Sequence, residues 1–401
     1  MNNYASSSAP RILVLSPTPT WPRDYGNRKR VHAVCSRLKA RGAHLTFLFY
    51  PWECEWIDGT PHGAHHDRAL LAMARQWDAL HVCPVTLPGH TRPTHGPDHS
   101  IDEWWDQALE NALHWLFRFR RFDMLLVNYP YLSRAFELAP KGVLRVLDTH
   151  DRFSGRRQYL ERQGIAPEFF HLDEAGEATA LHRADVVWAI KDEEAAFFRT
   201  LSATPVLTMP HRDVPEPEED AAVTPRPDEG MFRVGFLGAR NSINRANCEA
   251  FLRAFLPAVE TSGAAARMVL AGTVCLDLDA WRDHPLVEFL GPVPSVDAFY
   301  SRVDLVAAPI GFSTGLKIKV IEALDRDVPV VALAHAMEGI PTSHALHGLG
   351  SVEETAAACL RAAADPVLLK ELREAGAWSV AELERRITAT LDETLARIGG
   401  R

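Results

Sequence analysis

The chain has 401 residues, 47% of them hydrophobic and 24% charged, and its 43 basic and 52 acidic residues give a formal net charge of -9. This length exceeds what one ordinary core serves, so we expect two domains, and the acidic balance excludes bulk nucleic-acid binding, which needs a concentrated basic face. No run approaches the roughly 18 apolar residues that span a bilayer, and the N-terminus lacks an apolar signal core, so we expect a cytoplasmic protein.

Short runs rich in Val, Ile and Leu recur in the first half of the chain, separated by longer helical patterns. These runs begin at Arg11, His44, Asp123, Leu144 and Ala184. Nearly continuous apolar runs of this length are typical of strands buried on both faces of a parallel sheet. The pattern at 30–42 predicts a helix that stops at a glycine. The alternation predicts a doubly wound α/β domain over 1–210.

The pattern breaks at 211–230, where four prolines and seven acidic residues indicate a linker between domains. Alternation then resumes over 231–365, which predicts a second α/β domain. Its apolar runs begin at Phe232, Arg267, Leu286, Val303 and Val328. The remaining segment, 366–401, is predicted to be helical without a strand partner, and it could pack back on the N-terminal domain.

Conspicuous polar segments follow the predicted strands in both domains. Doubly wound domains bind ligands at the carboxyl ends of their strands, where loops and helix N-termini converge. In the last of these segments, Lys317 and Lys319 follow Gly315 in the first turns of a short amphipathic helix. The helix dipole disfavours cations there. Either a bound anion offsets the repulsion, or both lysines are solvated with their stems along the surface.

These segments, in this order, resemble the family-4 retaining glycosyltransferases of the GT-B fold. The donor-site pattern of that family is a glycine, a basic helix start, Glu-Ala-Leu, Pro-Val-Val and Glu-Gly, and 312–340 is similar to it. The likeness covers nearly the whole chain, and YGNRKR, VNYPYLSRAF and VLDTHDRFSGR are similar to members that build bacterial surface polysaccharides.

The resemblance implies two Rossmann-like domains that face each other across a cleft. It also implies an enzyme that transfers a hexose from a nucleoside diphosphate sugar to a glycan or lipid-linked glycan, with retention of configuration. The donor is a substrate, and no cofactor is expected. The location implied is the cytoplasm, with the inner face of the cytoplasmic membrane as a further option.

The resemblance assigns the nucleotide of the donor to the C-terminal domain. It implies that Gly315, Lys317 and Lys319 hold the diphosphate, with Lys319 the first choice for the inward lysine, and that Glu322 holds the ribose. A surface ion pair between Lys319 and Glu322, which share a helix face, is the alternative. Thr314 stands where many relatives have the first of two glutamates. Arg240, within an altered Gly-Arg-Leu pattern, is a shifted phosphate contact.

The resemblance assigns the donor sugar to Gly26, Asn27 and His150. A tight turn is the alternative for Gly26 and Asn27, and a satisfied structural histidine is the alternative for His150. Sugar transfer leaves negative charge on the diphosphate, which a helix N-terminus and basic side chains can neutralise. The chain has no recognisable metal pattern. The histidines in PHGAHHD, at 62–66, are predicted to lie in a solvated loop.

The segment 101–123 carries Trp104, Trp105, Trp115 and several arginines. Such a pattern fits peripheral membrane association, although a helix packed on the sheet explains it equally simply and is favoured. Two other functions remain open for the whole chain. One is a GT-B nucleotide-sugar epimerase, and the other is a non-catalytic scaffold of the same fold.

Overall fold

The computed structural model describes residues 9–23, 25–53, 64–87, 92–167, 169–214, 230–293, 295–313 and 315–398. The chain divides into two compact units. Unit 1 is Met1–Val214 with Arg386–Arg401, and unit 2 is Pro215–Arg385.

Unit 1 contains a seven-stranded sheet in which every strand pair is parallel. Its strands are β1 (Arg11–Ser16), β2 (His44–Phe49), β3 (Ala79–Val82), β4 (Met124–Asn128), β5 (Leu144–Asp148), β6 (Val186–Ala189) and β7 (Val206–Thr208). The spatial order is β3-β2-β1-β4-β5-β6-β7. The strand order therefore reverses between β1 and β4, and a ligand crevice in a doubly wound sheet forms outside such a switch point.

Helices cover both faces of this sheet. They are α1 (Gly26–Ala40), α2 (Ala64–Gln76), α3 (Gln107–Phe119), α4 (Arg156–Arg162), α5 (Glu174–Arg183) and α6 (Asp192–Leu201). Alternate residues of β1 enter different cores, with Ile12 and Val14 on one face and Leu13 and Leu15 on the other. This two-sided burial explains why the central strands are continuous apolar runs.

Unit 2 repeats the arrangement with five parallel strands in the order β10-β9-β8-β11-β12. The strands are β8 (Phe232–Leu237), β9 (Ala266–Ala271), β10 (Val287–Gly291), β11 (Leu305–Ala308) and β12 (Val330–Ala332). The helices are α7 (Ser242–Ser262), α8 (Val296–Tyr300), α9 (Ile318–Asp325), α10 (Val352–Ala364) and α11 (Pro366–Ala396). The switch point of this sheet lies between β8 and β11.

The predicted α/β fold with doubly wound sheets is confirmed, and all ten predicted strands are present. The sequence missed β3 and β7, which are the two edges of the first sheet. Edge strands are short and less buried than central ones, so they lack the continuous apolar signal. The helix predicted over 30–42 begins four residues earlier than expected, at Gly26, and Gly42 beyond its end has the positive φ of a glycine stop.

Helix α11 contributes to both units. Its Leu383 belongs to a core of unit 2, whereas Ile387 and Leu391 belong to a core of unit 1. Near its end, Thr394 accepts a hydrogen bond from the indole of Trp188 on β6, at 3.0 Å. The last turns of the helix therefore pack on the first sheet.

Three segments differ from the sequence-based expectation. Residues 211–214 were assigned to the linker, but His211 is buried, and Arg37 on α1 donates to the backbone carbonyl oxygen of Arg212 at 2.8 Å. The rest of the predicted linker, 215–229, lies outside the described residues. The prediction of a loop is wrong for His65 and His66, which lie in α2, and His62 lies outside the described residues. Trp104 and Trp105 are buried, so neither can lie in a membrane interface.

Candidate functional site

The switch point of unit 1 gathers side chains that follow β1, β2 and β4. Asn27 lies in the first turn of α1, which Gly26 opens, and its amide donates to the Tyr129 hydroxyl oxygen at 3.1 Å and to Glu53 Oε2 at 3.2 Å. Glu53 is buried and also accepts from Thr18 Oγ1 at 2.8 Å and from the Tyr131 hydroxyl at 3.0 Å. A tight turn alone therefore does not account for Asn27, whose amide joins a hydrogen-bonded cluster with Glu53 and Tyr129.

His150, two residues beyond β5, joins this cluster through an aromatic stack. Its ring lies 4.1 Å from the ring of Tyr129, between centroids, at an interplanar angle of 16°. Both residues have positive φ, 62° for His150 and 74° for Tyr129. Non-glycine residues in this region cost about 1–3 kcal/mol each. Backbone strain of this kind tends to gather at functional sites, and here two such residues are in contact.

The hydrogen bonds of Asn128 determine the tautomer of His150. Asn128 Nδ2 donates to the carbonyl oxygen of Leu15 at 3.1 Å, so its Oδ1 faces His150 Nε2, which lies 2.8 Å away. Because an amide oxygen can only accept, Nε2 carries the proton and Nδ1 holds the lone pair. Burial lowers the pKa of His150 to about 4. The charge of Asp148 raises this pKa in part, and the charge of Arg30 lowers it further. The imidazole is therefore neutral near pH 7.

A buried ion pair lies beside this histidine. Arg30 on α1 donates to Asp148 at the end of β5, with Nη2 2.7 Å from Oδ1 and Nε 3.0 Å from Oδ2. Their side chains are 1% and 0% exposed. Burial alone would raise the pKa of Asp148, but the guanidinium of Arg30 holds it below its usual value. Arg30 also donates to the carbonyl oxygen of Met209 at 3.0 Å, so the pair fixes α1 against the sheet.

In unit 2, the loop after β11 runs through the switch point into α9. Asn247 on α7 clamps this loop, since its Oδ1 accepts from the backbone of Gly311 at 3.0 Å and its Nδ2 donates to the carbonyl oxygen of Phe312 at 3.2 Å. Gly315 has φ of 68°, a conformation that side-chain-bearing residues rarely adopt. Thr314 lies outside the described residues.

The two lysines of this loop differ in exposure. Lys317 precedes α9 and is buried, and its Nζ donates to the carbonyl oxygen of Gly315 at 3.2 Å and lies 3.7 Å from Glu338 Oε2. Lys319 has a half-exposed side chain, and its Nζ is 2.9 Å from Oε2 of the buried Glu322. The ion pair between Lys319 and Glu322 therefore forms, but its carboxylate belongs to the interior, not the surface.

Glu322 has a second contact, with Tyr300 at the end of α8. The Tyr300 hydroxyl lies 3.4 Å from Glu322 Oε2 and donates to the carbonyl oxygen of Lys319 at 2.9 Å. Burial, followed by the charge of Glu322, raises the pKa of Tyr300 well above its usual value. The single proton of the Tyr300 hydroxyl is used at the Lys319 carbonyl oxygen, so Lys319 is the closer partner of this carboxylate.

A hydrogen-bonded group of Ser313, His335 and Glu338 near this loop was not predicted from the sequence. Ser313 Oγ lies 3.1 Å from His335 Nε2, and His335 Nδ1 lies 2.9 Å from Glu338 Oε1. Ser313 follows β11 and His335 follows β12, so adjacent strands bring them together. The Glu-Gly element of the donor pattern was the one sequence signal for this group, because its glutamate is Glu338.

Arg240 lies apart from these contacts. It follows β8, its side chain is largely exposed, and its guanidinium pairs with Asp277 at 2.9 Å. Its backbone N–H donates to Thr273 Oγ1 at 2.8 Å, on the β9 side of the switch point.

The described residues offer neither a metal site nor a membrane span. Among the described residues, no three or more His, Cys, Asp or Glu side chains are grouped to hold a metal. Nor does any described helix have the length and apolar character to cross a membrane.

The comparisons with known proteins agree with this fold. Residues 231–365 match the family model described as glycosyl transferases group 1. No curated protein sequence matches the chain.

Three solved structures are similar over nearly their whole length. TarM is 9% identical with a TM-score of 0.65, and the match covers 97% of this chain and 99% of TarM. Sucrose-phosphate synthase from Thermosynechococcus elongatus is 16% identical with a TM-score of 0.63, and the match covers 98% of this chain and 100% of that one. HepE of Anabaena, in complex with UDP and glucose, is 13% identical with a TM-score of 0.59, and the match covers 96% of this chain and 99% of that one. At these identities the likeness shows the fold, which is GT-B.

Proposed function

We propose that this protein transfers a hexose from a nucleoside diphosphate sugar to a glycan or glycolipid acceptor, with retention of configuration and without a metal ion. The observation that carries the proposal is the segment from Gly311 to Glu322. It combines a positive-φ glycine, Lys317 beside Glu338 before a helix start, and Lys319 paired with the buried carboxylate of Glu322. The match of 231–365 to group 1 glycosyltransferases supports the same assignment.

The loop has the chemistry to hold a diphosphate. Backbone N–H groups at a helix start, together with lysine ammonium groups, stabilise an anion, and this matters most as the leaving diphosphate gains charge. Lys317 is the more buried lysine, so its position favours it over Lys319, the first choice from sequence. Lys319 instead holds Glu322, which we propose accepts hydrogen bonds from the ribose hydroxyls.

We propose that His150 contacts the donor sugar. Its neutral imidazole presents Nδ1 as an acceptor, since Nε2–H is engaged by Asn128. Gly26 opens α1, and the next residue, Asn27, donates to the hydroxyl of Tyr129, on whose ring the His150 ring stacks. His150→Ala should therefore lower transfer while leaving the affinity for the free nucleoside diphosphate nearly unchanged.

The phosphate contact predicted for Arg240 has the least support of the donor contacts, because the Arg240 side chain is already paired with Asp277.

Incubation with a panel of UDP-, GDP- and dTDP-sugars tests the function. We expect slow donor hydrolysis without acceptor and transfer when a glycan acceptor is supplied. An isomerised donor sugar would instead identify an epimerase, and nucleotide binding without turnover would identify a scaffold. Absence of any nucleotide binding would contradict both the transferase and the epimerase. Nuclear magnetic resonance of the product's anomeric proton reports whether configuration is retained.

The acceptor and the location are extensions of this proposal. The resemblance to enzymes of surface-polysaccharide assembly supports a growing glycan, carried on lipid at the inner face of the cytoplasmic membrane. Extracted glycolipid and the same glycan released from lipid should be compared as acceptors. Equal rates for both would show that the lipid is not read.

A further inference from the structure

The exposed face of α3 carries two neighbouring aromatic rings. The buried face of this helix packs Leu109, Leu113 and Leu116 into the core, each at most 1% exposed. On the other side, Trp115 is 50% exposed and Phe119 is 64% exposed, and their ring centroids are 5.5 Å apart. An exposed aromatic pair at the end of a helix is not required by the core, so it indicates a contact surface.

Three arginines lie next to Phe119 in the sequence or close to it. Arg118, Arg120 and Arg121 are exposed, and the guanidinium of Arg118 lies 5.8 Å from the centroid of the Phe119 ring. None of the three forms an ion pair within the described parts of the chain. We call the five residues Trp115, Arg118, Phe119, Arg120 and Arg121 the α3 patch.

The two acidic residues nearest to the patch in the sequence, Glu110 and Asp123, form no ion pair with its arginines. Glu110, earlier on α3, lies 3.8 Å from Arg134 and 4.0 Å from His114. Asp123 accepts from the backbone N–H of Arg11 at 2.7 Å. The dipole at a helix C-terminus favours one nearby cation, which accounts for Arg118 but not for the exposed rings. A local positive charge thus persists on a chain whose net charge is -9.

We propose that the α3 patch docks unit 1 on an anionic phospholipid surface. Aromatic rings with aliphatic neighbours partition into the interfacial region of a bilayer, and basic side chains near the surface are attracted to anionic lipid headgroups. The ring of Trp115 also contacts the ring of His81 on the edge strand β3, with centroids 5.8 Å apart.

A membrane fits this surface better than a nucleic acid does. Single-stranded nucleic acid is held by a groove that follows its backbone over several nucleotides, whereas these arginines are clustered within four residues of one helix end. The inference deepens the proposed location at a membrane. Its test measures lipid binding without transfer, so a negative result leaves the donor chemistry untouched.

Co-sedimentation of the full chain with vesicles provides the test. Phosphatidylcholine vesicles should retain little protein, and vesicles that also contain phosphatidylglycerol should retain much more, with binding that falls as salt is raised. Replacing all three arginines by glutamine should weaken partitioning by on the order of one hundred-fold. Trp115→Ser with Phe119→Ser should remove binding even at low salt, because the rings no longer insert.

Trp378→Ser is the matched control, since Trp378 on α11 is 47% exposed and belongs to unit 2. It should bind vesicles as the unmodified chain does. The inference fails if the patch variants also bind as the unmodified chain does. It fails equally if the unmodified chain does not bind anionic vesicles, or if it binds a single-stranded oligonucleotide and no vesicle. Circular dichroism of each variant shows whether the surface changes leave the fold intact.

Discussion

In unit 1 the ion pair of Arg30 with Asp148 is buried on both sides, whereas in unit 2 buried Glu322 and buried Lys317 each have a partner that reaches the surface. Arg30 and Asp148 have side chains 1% and 0% exposed. Glu322 is buried but its partner Lys319 is 39% exposed, and Lys317 is buried beside Glu338, which is 36% exposed.

This difference predicts different roles for the two sites. A fully buried pair cannot exchange its partner for a ligand without leaving a charge in the interior, so it serves the architecture. A pair with one solvated partner can release that partner to water when a ligand arrives, because the released group is already hydrated in part. Substitutions in the pair of Arg30 with Asp148 should therefore act mainly on stability, and those in the pair of Lys319 with Glu322 mainly on binding.

The largest effect should come from Asp148→Ala. It leaves the guanidinium of Arg30 buried without its carboxylate, and breaking a buried pair in this way costs about 3–5 kcal/mol. Urea denaturation followed by circular dichroism measures the loss. Asp392→Ala is the matched control, because Asp392 accepts from Arg41 at 2.7 Å and the Asp392 side chain is 60% exposed. That variant should lose about 1 kcal/mol. Equal losses in the two variants would contradict the comparison.

The next effect concerns pH and His150. Its pKa is about 4 in the folded chain and 6.5 as a model group, so the unfolded chain binds more protons between these values. Stability must then fall as pH falls through this window, by up to about 3 kcal/mol from this group. His150→Gln should remove that part of the slope. The test is the free energy of unfolding at pH 7 and pH 4.5 for both proteins.

His182→Gln provides the control for the pH experiment, because His182 is exposed on α5. Its slope should equal that of the unmodified chain. A His150→Gln slope that also matches would show that the imidazole is charged in the fold or is not buried there.

In unit 2, Glu322→Ala should weaken binding of the free nucleoside diphosphate by about 1.5–3 kcal/mol, the range for hydrogen bonds to a charged group. The fold should survive because the released Lys319 is half-exposed. Isothermal titration calorimetry measures the affinity. Glu249→Ala on the surface of α7, where Glu249 pairs with Arg245 at 3.0 Å, should leave it unchanged. If Glu322→Ala binds as tightly as the unmodified chain, the donor-site assignment is wrong.

The places of the candidate residues in the fold were predictable, because parallel strands bring their carboxyl ends to one edge. Asn27 follows β1, His150 follows β5 and Glu322 lies in the helix after β11, as the sequence predicts. Their contacts were not predictable. The bond from Asn27 to Tyr129 joins residues 102 positions apart, and no periodicity reports such a pairing.

Exposure was predicted less well than position. The pattern at 101–123 shows aromatic residues and arginines, but it does not show that Trp104 is buried while Trp115 is exposed. Which of these tryptophans is buried depends on the residue at which α3 begins. Asp106 caps the start of α3, since its side chain accepts from the backbone N–H of Ala108 at 2.9 Å. A similar shift affects the lysines, since α9 begins at Ile318 and leaves Lys317 at the cap position.

The smallest effect should come from Ser313→Ala, and it tests whether the second unit reads the donor sugar as well as the nucleotide. With Glu338 accepting from His335 Nδ1–H, a neutral imidazole presents Nε2 as an acceptor, and Ser313 donates its hydroxyl proton there. The Ser313 oxygen can then only accept, which suits a sugar hydroxyl beside the diphosphate. Loss of one such hydrogen bond should cost about 1 kcal/mol of nucleotide-sugar affinity. Affinity for the nucleoside diphosphate should not change, since it lacks the sugar.

Calorimetry with both ligands gives the difference, and Ser301→Ala, at the end of α8, serves as the control. Equal losses for the two ligands would place Ser313 at the diphosphate instead, and no loss for either would remove it from the site.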